Sequence, residues 1–122
     1  MFDPQSEVKH YGLSLRRKGE EKTISFPVMN ILAWRENGKC YAHCLELDIA
    51  ADGETEEQAA SAVADLGIEQ IEFAIQNHME FYNPAPLEYW EKLKEIQVNR
   101  FRQRLMDHPP RMKEEVSLEL VS

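Results

Sequence analysis

Between Cys40 and Glu91 the chain has no lysine and no arginine, yet it carries twelve Asp and Glu there. A stretch with no fixed positive charge repels phosphate and attracts a basic partner. The missing cations collect just after it. Residues 92–113 hold seven Lys and Arg against two acids, Glu95 and Asp107. The net charge of −8 therefore hides a segregation into an acidic block and a basic one. The plain reading of both blocks is solvated surface. The basic block has three further counterparts: its own acidic block, a neighbouring subunit, or RNA.

Other absences narrow the class. No apolar run is long enough to span a bilayer, and no charged-then-apolar leader opens the chain. The expectation is a cytoplasmic protein with no membrane partner. There are only two cysteines. Cys40 and Cys44 sit four residues apart in an expected strand, which separates them by roughly 13 Å, too far for a disulfide or one shared metal. They read as buried free thiols. The histidines, His10, His43, His78 and His108, lack metal-ligand or HExxH spacing. There is no G-x-S-x-G and no phosphate-binding glycine loop. His43 and Cys44 are neighbours, but adjacent strand residues point to opposite faces, so they make no dyad. The expectation is no enzyme, no cofactor and no metal.

At 122 residues the chain has the length of a single domain. Val8 to Leu15 reads as an extra strand, followed by a loop from Arg16 to Lys22. Thr23 to Arg35 is rich in β-branched and apolar residues and reads as a long strand, with Pro27 marking an edge or a bulge. Glu36-Asn37-Gly38-Lys39 supplies a hairpin turn. Cys40 to Leu47 is the return strand, with Cys40, Ala42 and Cys44 on one face and Tyr41, His43 and Leu45 on the other. Ile49 to Asp52 is a short third strand.

Thr55 then stands as an N-cap, with Gln58 completing a capping box. Glu56 and Glu57 suit the positive end of the helix dipole. The first helix is expected from about Glu56 to Asn77, burying Ala59, Val63, Leu66, Ile71, Ala74 and Ile75. Gly67 inside it is explained by a close approach to the sheet or is a weak spot. His78 suits the helix C-terminus. Asn83-Pro84-Ala85-Pro86 is a break, and a second helix starts near Pro86. Leu87, Trp90, Leu93, Gln97, Phe101 and Leu105 lie near one face of it, and His108-Pro109-Pro110 ends it. Glu115 to Val121 alternates and reads as a last strand, paired with this sheet or with a second copy.

The run Tyr41–Ala59 carries a family resemblance. A strand ending in Glu46-Leu47 is followed by a short strand, Gly53, then Thr55, Glu56 and Glu57 opening a helix. Over about residues 23–80 the chain resembles the HicB-like antitoxins and their solitary relatives. The commoner version of that pattern has Pro before the Glu and Pro-Gly after the Leu. This chain has Leu45 before and Asp48-Ile49-Ala50-Ala51 after, and looks like the family's variant with Asp, a β-branched residue and Ala there.

The resemblance implies a small antiparallel sheet with a helix packed on one face (HicB-like, partial ribonuclease H-like). The residues read alone also give an α+β fold, and the second helix and the C-terminal strand come from the residues. The second helix departs from the family, whose last strand usually follows the first helix closely. The resemblance gives one HicB-like domain over 1–122, with extensions at 1–22 and 81–122. It implies a non-catalytic antitoxin-type protein that masks a small basic ribonuclease toxin. Glu46, Asp48, Asp52, Glu54 and Glu57 are the candidate partner-binding residues, from their charge together with the resemblance. Glu46, Asp48, Asp52 and Glu54 also imitate a two-metal nuclease site, but they fall on different elements and no basic residue lies near them in sequence to hold a phosphate. The alternatives are a solitary oligomeric structural or regulatory module, expected to be a homo-oligomer, and weak RNA binding through Lys92, Arg100, Arg102 and Arg104. The last strand follows the helices, the wrong order for a ribbon-helix-helix unit, so DNA is not an expected partner.

Overall fold

The computed structural model describes Phe2, residues 7–14 and residues 28–109. The expected loop 16–22, the start of the long strand at 23–27 and the expected last strand Glu115–Val121 lie outside the described residues. Four strands, β1 (Val8–Leu13), β2 (Met29–Glu36), β3 (Lys39–Cys44) and β4 (Ile49–Gly53), form one antiparallel sheet in sequence order. Two helices follow, α1 (Glu56–Gln76) and α2 (Leu87–Asp107). The fold is α+β, as the sequence implies.

The β2–β3 hairpin turns where Asn37-Gly38 stands. Both residues are left-handed, with φ of 51° and 80°. That pair of conformations matches the twist of the flanking strands, and Asn followed by Gly adopts it at least cost.

Alternation divides the sheet into two faces. On one, Ile31, Ala33, Cys40, Ala42 and Cys44 pack against Ala59, Ala60, Val63 and Ile71 of α1. Cys40 and Cys44 are free and buried there. On the other face, Leu32, Trp34 and Leu45 pack against Ala85, Tyr89 and Leu93, and Phe2 adds its ring edge-on to Trp34 and Tyr89. The second helix is thus no appendage. Its first half covers the face that α1 leaves open. Leu32 and Leu45 are fully buried there, each contributing about 2 kcal/mol of transfer free energy.

The return strand is shorter than expected. β3 ends at Cys44, and Leu45–Asp48 form a turn with Asp48 left-handed at φ 52°. The reason lies in the two leucines. A strand would send Leu45 and Leu47 to one face. The turn sends Leu45 into the α2 core and Leu47 into the α1 core.

Thr55 Oγ1 accepts the Gln58 N–H at 3.1 Å and caps α1. The Gln58 side chain reaches one residue further back than a capping box requires, accepting the Glu54 N–H at 3.2 Å. β4 meets this first turn closely: a Cβ on Gly53 would lie 2.8 Å from the Ala59 nitrogen. The buried stripe of α1 is Ala59, Ala60, Val63, Gly67, Ile71 and Ala74. Leu66 and Ile75, expected inside, are exposed. Gly67 holds the inward position in place of Leu66, and Leu47 Cδ1 fills the space, 3.2 Å from where its Cβ would stand.

α1 ends in a Schellman arrangement. Met79 N–H donates to Ala74 C=O at 2.8 Å and His78 N–H to Ile75 C=O at 3.3 Å, with His78 left-handed at φ 53°. The chain then runs back beside the Leu45–Asp48 turn. Asn83 N–H bonds Glu46 C=O at 2.9 Å and Ala85 N–H bonds Leu45 C=O at 2.7 Å. This crossing carries the chain from the α1 face to the α2 face. The inward face of α2 also differs from the expected one. Tyr89 and Leu93 are buried, whereas Leu87, Phe101 and Leu105 are exposed.

Candidate protein-binding surface

The five candidate carboxylates split into two kinds. Glu46 is half-buried and engaged on both oxygens. Oε1 accepts the Asn30 backbone N–H at 2.7 Å, and Oε2 accepts Asn30 Nδ2 at 2.8 Å. Asn30 Oδ1 in turn bonds His10 Nε2 at 2.8 Å. An amide oxygen only accepts, so Nε2 carries the proton. Arg100 NH1 lies 3.5 Å from the other ring nitrogen, Nδ1. Glu46 and Arg100 therefore end one chain of contacts that ties the β3–β4 turn, β2, β1 and α2 together.

Asp48 is exposed, and its Oδ1 lies 2.6 Å from His43 Nε2. His43 itself is buried, stacked on the Tyr89 ring. The bond from His43 holds the left-handed Asp48 in place. It also sets a carboxylate at the rim of the α2 face. Glu46 and Asp48 thus engage different partners from the same turn, Asn30 and His43.

Asp52, Glu54 and Glu57 are exposed. Asp52 pairs with Tyr41 in the β3–β4 register. Glu54 lies in the short link to α1, and Glu57 is in the first turn of that helix. Six residues of chain thus present three exposed carboxylates around the end of the sheet where β4 meets α1, Asp52 on the Tyr41 face and Glu57 on the α1 side. The α2 face is acidic as well. Burial pushes the Tyr89 phenol up from its ordinary pKa, and the charges of Glu88, Asp48 and Glu36 push it further. Burial likewise raises the Cys44 thiol, with Glu46 adding to it against a backbone hydrogen bond from Leu47 that lowers it.

The basic candidates are spread along α2. Lys92 pairs with Glu95 at 3.4 Å, and Arg100 leans on His10. Arg102 and Arg104 are exposed, and at 100° per residue they leave the helix on different sides. Among the described residues, no three His, Cys, Asp or Glu side chains converge as a metal site requires. His43 and Cys44 point to opposite faces, as the alternation implies. The sequence did not single out Asn30 or His10. An Asn in a run of apolar strand residues was the only signal for the first. No helix among the described residues is long and apolar enough to cross a membrane. No protein-family model, curated protein or solved structure matches this chain.

Proposed function

We propose that the chain is a non-catalytic binding protein of the HicB-like antitoxin type, which masks a small basic ribonuclease. The observation that supports this best is the trio Asp52, Glu54 and Glu57, exposed within six residues in a block that holds no Lys or Arg from Cys40 to Glu91. Such a surface steers a cationic partner and speeds its encounter. The order of elements supports this reading: strand, turn, short strand, then a Thr-capped helix opening with two glutamates, with the departure that the strand ends at Cys44 rather than at Glu46-Leu47. Glu46 belongs to the scaffold in this reading, and Asp48 sits at the edge of the surface.

The test is co-expression with any short basic protein encoded beside this chain, followed by light scattering and a ribonuclease assay. The expected result is a stable complex with the nuclease silenced, and loss of both in the triple variant Asp52→Lys, Glu54→Lys, Glu57→Lys. A complex indifferent to those three reversals would sink the assignment of the surface. RNA binding through Lys92, Arg100, Arg102 and Arg104 has less support, because two of the four are already engaged and the other two diverge. It would show as RNA affinity falling steeply with salt.

A further inference from the structure

α2 carries two apolar stripes and uses one. Tyr89 and Leu93 face the sheet. Val98, Phe101 and Leu105, spaced i, i+3, i+7, form a second stripe about a third of a turn away, and all three are exposed. Every residue from Gln97 to Pro109 is exposed. The helix crosses β3 at His43, then packs on Leu32 and Trp34 of β2, and reaches the β1 edge where Arg100 meets His10. Seven more residues extend it by roughly 10 Å. This arm is basic, with Arg100, Arg102 and Arg104 against Asp107.

An apolar groove of about 440 Å³ lies at the opposite edge strand, on the opposite face. Ile49 of β4 and Leu66 and Phe73 of α1 supply its apolar lining, with Glu69 and Gln70 on its wall. Asp65 and Glu72 continue the acidic flank along the same side of α1. The helix has five acids and no Lys or Arg. Arm and groove thus match in apolar character and oppose in charge. They sit at opposite edges and on opposite faces of one sheet, so a single chain cannot join them.

We propose that the chain self-associates by seating the α2 arm of one copy, through Phe101 and Leu105, in the α1–β4 groove of another, with the positive charge of Arg102 and Arg104, one on each side of that stripe, drawn to the acidic helix α1. The contact joins two different patches: reciprocated about a two-fold axis it makes an isologous pair, and unreciprocated it is heterologous and runs into a ring or an open filament. It is independent of the surface at Asp52, Glu54 and Glu57 and stands or falls without it.

The test is light scattering and sedimentation velocity on the full chain and two variants. Phe101→Glu spoils the arm and Phe73→Glu spoils the groove. Both positions are more than half exposed, at 62% and 56%, so the fold is retained, and circular dichroism melts verify it. The expected result is a wild-type mass above one chain and a monomer for each variant, association weakening at least tenfold. Mixing the two variants then restores a one-to-one pair, because one supplies an intact arm and the other an intact groove. Arg102→Glu with Arg104→Glu weakens association, and Asp65→Lys with Glu69→Lys in the partner recovers it. A monomeric wild type would overturn the proposal. So would an oligomer that ignores Phe73→Glu, which would mean that arms pair with arms, or a mixture that fails to complement.

Discussion

The His43 imidazole lies on the Tyr89 ring, with centroids 4.2 Å apart and planes 21° from parallel. One stack joins the centre of the sheet to the first turn of α2. Trp34 and Phe2 close around the same tyrosine. Tyr89→Ala is expected to cost about 3–5 kcal/mol, the range for emptying a large aromatic site, measured by urea unfolding. A loss below about 1 kcal/mol would mean that α2 is not needed to cover this face.

Tyr89 also sets an alkaline limit. Its folded pKa is raised, so the unfolded chain gives up the phenol proton first as pH climbs. The stability from this group is whole below about pH 10, the ordinary phenol value, and is lost as pH rises through the folded value. Cys44, raised by burial, adds the same sign beginning in the thiol range. The melting temperature is expected to fall as pH rises past about 9 and further past about 10, with a shallower fall above about pH 10 in Tyr89→Phe. An equal slope in that variant would assign the loss elsewhere.

Glu46 has a structural role that can be separated from binding. Glu46→Gln places an amide NH2 against the Asn30 donors and is expected to cost about 1.5–3 kcal/mol, as for hydrogen bonds to a charged group. Chemical denaturation gives the value. Affinity for a basic partner, measured well below the midpoint, should stay near wild type, in contrast to the triple reversal at Asp52, Glu54 and Glu57.

His78 occupies the left-handed position that glycine favours in a Schellman end. His78→Gly is expected to stabilise the chain by about 1 kcal/mol, the lower end of the left-handed penalty, and to raise its melting temperature by a few degrees. A lower melting temperature would show that His78 makes a contact worth more than its backbone strain.

The elements with strong local signals were readable in advance. Asn37-Gly38 specified its turn, Thr55 its cap, and the alternation at Cys40, Ala42 and Cys44 its face. What escaped depended on the tertiary partner. Nothing local distinguishes Leu66 from Gly67 as the inward residue; Leu47, arriving from the turn, decides it. The early end of β3 has the same origin, since Leu45 and Leu47 serve different cores. The carboxylates were legible as charge but not as roles. Glu46 became scaffold because Asn30, sixteen residues earlier, offered two donors.

The two faces of the sheet acquire their covers at different times during synthesis. Trp34 leaves the ribosome fifty-five residues ahead of Tyr89 by position in the chain. At roughly 5–20 residues per second that is a delay of about 3–10 s. During it the α1 face can close, while Leu32, Trp34 and Leu45 still lack the helix that shelters them. For those seconds the newborn chain carries an uncovered apolar sheet face, which is the interval in which a chaperone would find it.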